Sequence, residues 1–359
     1  MCHLLRAGAC TLFLWFFLVR PAKALQQEDE RPHPPSEKEK PAVQLVPKKP
    51  DKRKLAVTDL TQVDQDFGYQ GEYFGAVPPG VSEVPNMGLQ VIARGDGQFD
   101  AVLLRGGLPG AGWDRRTSVK LSGERRDDVV TLTSEIILAR VSAGQAVLLD
   151  TNGTELARLP KMHRISSSQD AAAPYGAIVL FDGTSADQFD GATMNDEGLL
   201  EAGGISKMDV QDFFLHLEFR TPYMPYASGQ GRGNSGVYIQ KRYETQILDS
   251  FGLEGVHNEC GGLYKQRPPA VNMCLPPLSW QTYDIYFTAA RWDAEGNKVA
   301  HARITVVHNG ETIHDNYELV SKTGAGEPER PAARPIRLQD HGNPVHFRNI
   351  WLLPIQPCP

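Results

Sequence analysis

The feature that most constrains this chain is a two-residue alternation of apolar and polar side chains in short runs, punctuated by glycine-containing turns. Phe213-Phe-Leu-His-Leu-Glu-Phe-Arg220 places Phe213, Leu215, Leu217 and Phe219 on one side and His216, Glu218 and Arg220 on the other. Gly236-Val-Tyr-Ile-Gln240 points Val237 and Ile239 inward and Tyr238 and Gln240 outward. Such a period is that of a half-buried strand and is incompatible with a helical face. Tyr243–Leu248, Tyr283–Ala289, Ala300–His308, Ile336–Gln339 and Val345–Leu352 continue the pattern, and Asn309-Gly310 marks a two-residue hairpin. Several antiparallel strands without helices predict an all-β chain whose C-terminal part, residues 175–359, is a two-sheet jelly-roll sandwich.

Upstream, Gly88–Arg94 and Phe99–Arg105 face each other across Gly95-Asp-Gly-Gln, and short runs follow between 129 and 159. These predict a small β-sandwich or barrel over residues 61–165, with no cluster of titratable groups and hence a binding or spacing role. Ser166-Ser-Ser-Gln-Asp-Ala-Ala-Ala-Pro174 has the composition of a linker with few reasons to pack, so the two β units are expected to be separable. Residues 25–54 hold six prolines, charges of both signs and no aromatic side chain. A disordered tether over 25–60 is the reading, because so little apolar surface cannot offset the entropy of ordering.

The first residues read as an export signal. Arg6 precedes the apolar run Thr11–Val19, and Ala22-Lys-Ala24 supplies the small residues of a cleavage site. The run falls short of the ~20 residues a membrane span needs, so no integral span is expected after cleavage. Loss of Arg6, Arg20 and Lys23 would take the formal charge from −6 to −9. An acidic balance argues against nucleic acid, whose binders carry basic patches. Cleavage would leave Cys260, Cys274 and Cys358. Cys260 and Cys274 lie in one loop-rich stretch, where a disulfide and two buried thiols are both open readings for a secreted (periplasmic or extracellular) chain.

The outward positions of the C-terminal strands favour His, Arg, Gln and Tyr rather than the Lys, Glu, Thr and Ser of an ordinary solvated face. His216, Glu218, Tyr238, Gln240, Glu244, Gln246, Gln339, His341 and Arg348 are the groups that grip sugar hydroxyls and do acid–base work, so they are read as one sugar-facing groove. Within it, Glu244 and Gln246 share a face, and Asp249 joins them only across a bulge. The spacing Glu-x-Gln-x-x-Asp parallels the two-carboxylate strand of jelly-roll glucanases, but an amide in the middle argues against a covalent nucleophile. Gly229–Gly236 leads into a strand and lacks a Gly-Lys-Ser/Thr ending, so it is not a phosphate loop. His216, Glu218 and His341 could ligate a metal, but two alternate residues and one distant histidine are not a ligand signature, so the reading is no cofactor, with a metal as the alternative.

Phe181-Asp-Gly-Thr, Phe214–Arg220, Asn234–Gln240, Tyr243–Ser250, Cys260-Gly-Gly-Leu-Tyr264, Trp280–Ile285 and Leu338–Ile350, taken in order, resemble the 3-keto-disaccharide hydrolase family over about residues 174–354. The resemblance implies a concanavalin-like jelly roll and cleavage of 3-keto-glycosides supplied by a partner sugar 3-dehydrogenase. A ketone at carbon 3 acidifies the proton on carbon 2, so a base can remove it and the enolate can expel the group on carbon 1. The expected roles are Glu244 as base, Arg348 and His341 at the keto oxygen, and Asp249 or Glu218 at the leaving group. Tyr238, Gln240, Gln246, His216 and Gln339 would position hydroxyls. A non-catalytic lectin-like module and an ordinary glycoside hydrolase are the alternatives.

Overall fold

The computed structural model describes residues 50–142 and 144–355. The expected signal peptide and the tether up to residue 49 lie outside the described residues. Among the described residues, no helix is long and apolar enough to cross a membrane.

The first unit is a closed eight-stranded barrel. Its strands are β1 (Gly71–Ala76), β2 (Asn86–Gly95), β3 (Gln98–Arg105), β4 (Ser118–Arg126), β5 (Val129–Thr133), β6 (Leu138–Ser142), β7 (Gln145–Leu149) and β8 (Glu155–Met162), each paired with the next. β1 closes the ring against β8 through Glu72↔Met162 and Tyr73↔Lys161. Closure removes the free edges that an open meander would expose. The turn predicted at Asp96-Gly97 joins β2 to β3 with both residues at positive φ, 53° and 76°, the conformation such a two-residue hairpin requires.

The second unit is a β-sandwich. Its strands are β9 (Ile178–Phe181), β10 (Phe189–Asp190), β11 (Leu200–Glu201), β12 (Ile205–Val210), β13 (Phe213–Arg220), β14 (Ser235–Ile239), β15 (Tyr243–Ile247), β16 (Gln281–Thr288), β17 (Arg291–Trp292), β18 (Lys298–Ala300), β19 (Ala302–His308), β20 (Glu311–Leu319), β21 (Arg334–Leu338) and β22 (His346–Pro354). One sheet runs β10-β12-β21-β14-β15, and the other runs β11-β22-β13-β16-β19-β20 with β9 beside β22; β17 and β18 pair separately. Leu215, Leu217 and Phe219 of β13 meet Val237, Ile239, Tyr243, Ile247, Ile336 and Leu338 of the facing sheet in one core. Each fully buried Leu, Ile or Phe there contributes roughly 1.5–3 kcal/mol. The all-β jelly-roll reading therefore holds.

Two expectations about organisation fail. Residues 50–60 are not tether: Lys52–Lys54 form a turn of 3-10 helix, and Val57 exchanges backbone hydrogen bonds of 3.0 and 2.8 Å with Tyr223. Nor is the segment 166–174 a bare linker. Ser166 Oγ lies 2.6 Å from Thr282 Oγ1, Ser168 Oγ donates to Asp284 Oδ2 at 2.5 Å, and the Asp170 amide donates to Glu218 Oε1 at 2.6 Å. The segment is polar because the sheet surface beneath it is polar. The two units also share cores: Tyr223 and Leu278 of the sandwich are buried in the barrel's core, and Ile92 of β2 is buried in the sandwich's. Residues 50–355 thus pack as one compact body.

Candidate functional site

Glu244 is the second residue of β15, with its side chain on the outer face of the five-stranded sheet, since Tyr243 and Ile247 face the core. Tyr238, directly opposite on β14, donates its hydroxyl to Glu244 Oε2 at 2.7 Å. Gln246, two residues along the same face, lies between Glu244 and Gln230. With its amide nitrogen toward Glu244 it donates to Oε1 at 3.0 Å and to the Ser235 carbonyl at 2.9 Å. The Arg337 guanidinium, from the neighbouring strand β21, lies over the Tyr238 ring, 4.3 Å from its centroid. Gly236 faces this cluster for a steric reason: a Cβ there would stand 2.6 Å from Glu244 Oε1 and 3.2 Å from Gln339 Oε1.

The carboxyl of Glu244 is nearly inaccessible, at 2% exposure. Burial penalises its charged form and pushes its pKa from an ordinary 4.5 to about 7, against the opposing pull of the Tyr238 hydroxyl and the Arg337 charge. A carboxylate so placed is half-protonated near neutrality, which is where a general base is most effective. Tyr238 is pushed well above its ordinary value by burial and by the adjacent carboxylate, so it remains a donor. Asn234 Oδ1 and Gln339 Oε1 are buried without a hydrogen-bond partner. Two orphaned acceptors near one carboxylate suit a ligand that brings hydroxyl donors.

Glu244, Tyr238, Gln246 and Gln339 are therefore brought together as expected. His341 is exposed on the loop after β21, two residues beyond Gln339, and Asn343 of the same loop accepts from the Asn234 amide at 2.8 Å. That loop is tied to the rim of the cluster.

The other expected residues lie elsewhere. Gln240 sits at φ +51° in the turn Gln240–Arg242, where its amide donates to the Val210 carbonyl at 2.7 Å and its oxygen accepts from Arg242 at 3.0 Å. The two-residue period ends at Ile239, so Gln240 does not share the face of Tyr238. Asp249 lies past the end of β15 with no bulge bringing it beside Glu244; its carboxylate is taken by Arg232 Nε at 2.6 Å.

His216, Glu218 and Arg348 are on the wrong sheet. They project from β13 and β22 on the outer face of the other sheet, with the whole core between them and Glu244. There His216 Nδ1 donates to Asp284 Oδ1 at 2.6 Å, and Glu218 accepts from Arg348 Nε at 2.8 Å and from Asn349 Nδ2 at 2.9 Å. Burial would depress His216, but the carboxylates of Asp284 and Glu218 outweigh it and raise its pKa. Burial likewise opposes ionisation of Glu218, yet His216, Asn349, the Asp170 amide and Arg348 together bring it down to about 2. Positive φ at Asn349 (45°) marks a bulge that turns Arg348 and Asn349 toward Glu218. Partnered among themselves and covered in part by residues 166–171, these groups fasten the chain, and a cavity of about 460 Å³ beside Arg348 and Asn349 lies on the sheet away from Glu244.

Cys260 and Cys274 are both buried free thiols, Cys260 beside the Tyr283 hydroxyl at 3.3 Å and Cys274 donating to the Leu248 carbonyl at 3.5 Å, so of the two open readings the structure has the thiols. Arg337 and Gln230 were missed from the sequence. Arg337 was legible, being the polar residue between Ile336 and Leu338 of β21. A cavity of about 600 Å³ opens between Met208–Phe213 and Ala290–Asp293 but holds none of the candidate site residues.

A two-sheet jelly roll carrying a buried, pKa-raised glutamate on the outer face of one sheet is the class of protein that fold and site define. Residues 176–353 match the model of the 3-keto-alpha-glucoside-1,2-lyase-like domain, and the chain belongs to that family. No curated protein matches the chain. It is similar to a crystallised protein of Parabacteroides distasonis provisionally described as a glycosyl hydrolase, with 32% identity, 51% of this chain and 85% of that one covered, and a TM-score of 0.47. Two further crystal structures from that organism, described in the same way, are 16% and 22% identical, cover 50% of this chain and 95% and 99% of their own, and have TM-scores of 0.38 and 0.36.

Proposed function

We propose that the chain is a secreted enzyme that cleaves 3-keto-glycosides by elimination across carbons 1 and 2 followed by hydration. The observation that carries this reading is Glu244, a buried carboxyl with a pKa near 7 beside a phenol, an amide and a guanidinium. Family membership and the relatives described as glycosyl hydrolases support a glycoside substrate.

Ionised Glu244 takes the proton from carbon 2. The C2–H electron pair forms a C2=C3 bond as the carbonyl π pair moves to the keto oxygen, giving an enolate. When the enolate re-forms the ketone, its electrons become a C1=C2 bond and the C1–O bond breaks toward the aglycone oxygen, which accepts a proton. Water then adds its hydroxyl to carbon 1 and a proton to carbon 2, returning a free 3-keto sugar. Arg337 takes the enolate-stabilising role that the sequence had suggested for Arg348, and His341 at the rim protonates the leaving oxygen. One donor to an enolate oxygen is worth ~10²–10³-fold. Tyr238 and Gln246 hold the carboxylate, while Asn234 and Gln339 accept from sugar hydroxyls. A sugar 3-dehydrogenase would supply the substrate. A purely lectin-like site would gain nothing from a carboxyl held so far from its ordinary pKa.

The test is incubation with a 3-keto-glycoside and with its unoxidised parent. Turnover of the keto substrate alone is expected. Equal turnover of both would replace this mechanism with ordinary glycoside hydrolysis, and binding without turnover would leave a lectin.

A further inference from the structure

The chain between β8 and β9 crosses the outer face of the sheet away from Glu244, and from Ser168 onward its ties end chiefly on one group of charged side chains. Ser168 Oγ donates to Asp284 and the Asp170 amide to Glu218. Arg348 Nη2 donates to Asp170 Oδ1 at 2.7 Å, and the Ala171 carbonyl accepts from Asn349 Nδ2 at 3.0 Å and from Trp351 Nε1 at 3.2 Å. Asp170 itself sits at φ 59°, a left-handed backbone that an aspartate tolerates but does not prefer, so the group holds this stretch bent.

His216 is the centre of that group. It is fully buried and stacked on the Trp351 indole, with ring centroids 5.1 Å apart. Nδ1 lies 2.6 Å from Asp284 Oδ1, and Nε2 lies 3.6 Å from Glu218 Oε1. A neutral imidazole has one N–H and can serve only one of two carboxylates, whereas the imidazolium serves both. The charged groups around the ring are Asp284 from β16, Glu218 from β13, Arg348 from β22 and Asp170 from the crossing segment; Ser168, Thr282 and Asn349 are the neutral polar neighbours. With the imidazolium in place, three carboxylates face two cations, and loss of its proton leaves one. Burial opposes the charge on His216, yet Asp284 and Glu218 outweigh it and raise the pKa above its ordinary 6.5. The closed arrangement therefore binds the proton more tightly than an open one, and the stability this gives is lost as pH rises through the raised value.

We propose that residues 166–172 form a strap clasped by a proton on His216: the imidazolium holds it closed over Asp284 and Glu218, and when the proton leaves, the two carboxylates lose their shared cation, take up water and release the strap. Asp170, Ala171 and Ala172 are also one wall of the cavity of about 460 Å³ beside Arg348 and Asn349, so release widens that cavity. Upstream, Arg164 stays fixed on Glu72 at 2.6 Å, and downstream β9 stays paired with β22, which confines the movement to the strap. The clasp does not depend on the role of Glu244, which lies on the other sheet.

The test follows hydrogen-exchange protection of the Asp170 amide, the donor to Glu218, normalised to the intrinsic rate at each pH. The buried Leu278 amide, which donates to the Thr221 carbonyl at 2.9 Å, is the internal reference. Taking one partner from a buried ion pair is strongly destabilising, so Asp170 protection should fall at least ~10-fold from pH 6 to pH 9 while that of Leu278 holds. His216→Gln, which cannot carry the charge, should show low Asp170 protection at both pH values and no step. Asp284→Asn, which leaves the ring a single carboxylate, should move the step to lower pH. The wild-type profile decides even where a variant fails to fold: constant Asp170 protection across the range overturns the clasp, and so does an equal fall at Leu278. A step that persists in folded His216→Gln would overturn it as well.

Discussion

Glu244→Gln should make the protein more stable while making it inactive, and the size of the gain should depend on pH. The folded protein holds this carboxyl at about 7 rather than 4.5. The sign follows from which state binds the proton more tightly. A raised folded pKa means that the native state binds it more tightly, so the protonated form contributes stability below pH 4.5, and that stability is lost as pH rises through about 7. At ~1.4 kcal/mol per pH unit, ionising Glu244 in place costs ~3 kcal/mol above pH 8. Glutamine has no proton to lose and escapes that penalty. It also changes packing and hydrogen bonds, but those contributions do not titrate. The quantity to measure is therefore the change in the stability difference between mutant and wild type, from urea unfolding at pH 4, 6 and 8. The difference should move in favour of the mutant by ~3 kcal/mol between pH 4 and 8, most of it between pH 5 and 7. A difference that is flat with pH would show that Glu244 titrates near its ordinary value, and the reasoning from burial would fail. Over the same set, turnover of a 3-keto-glycoside should fall at least ~10²-fold.

Activity of the wild type should rise with pH through an ascending limb near the Glu244 pKa of about 7; a limb near 4.5 would remove Glu244 as the base. Tyr238→Phe deletes the hydroxyl that lowers that pKa, so the limb should shift to higher pH, read from kcat/KM profiles. Gly236→Ala should crowd Glu244 Oε1 and cut kcat more than it lowers Tm. His216→Ala leaves Asp284 and Glu218 buried without their shared partner and should lower stability by ~3–5 kcal/mol with kcat intact at permissive temperature. A fragment 171–359 should be poorly soluble, since it lacks Ser166, Ser168, Asp170 and the barrel walls around Tyr223; a well-folded fragment would show that the shared packing is dispensable.

Alternation along β13, β14 and β15 shows which side chains face the core, and it placed Tyr238, Glu244 and Gln246 together. It cannot show which of two sheets a strand joins. His216 and Glu218 alternate as cleanly as Glu244 and Gln246, yet the core of Leu215, Leu217, Val237 and Ile239 separates the two pairs. That partition depends on strand order, a long-range property that no local window contains. Gln240 shows a different limit: the period that places Tyr238 stops one residue before it, where the chain enters a left-handed turn. Composition misled at Ser166–Pro174, because a polar segment reads alike whether it meets water or the buried carboxylates of Asp284 and Glu218.

The exchange of Tyr223, Leu278 and Ile92 between cores bears on the order in which the molecule can be completed. A chain emerging N-terminus first presents all eight barrel strands by Met162, while Tyr223, which joins their buried cluster, is still to be made. Until Tyr223 and then Leu278 arrive, the barrel's core lacks two of its buried side chains. The upstream residues that the sandwich's core takes in, Ile92 and the half-buried Trp113, are by then already made. Synthesis therefore runs toward completion of the barrel by the sandwich, and an interruption between residues 162 and 223 should yield a species that chaperones retain rather than a finished domain.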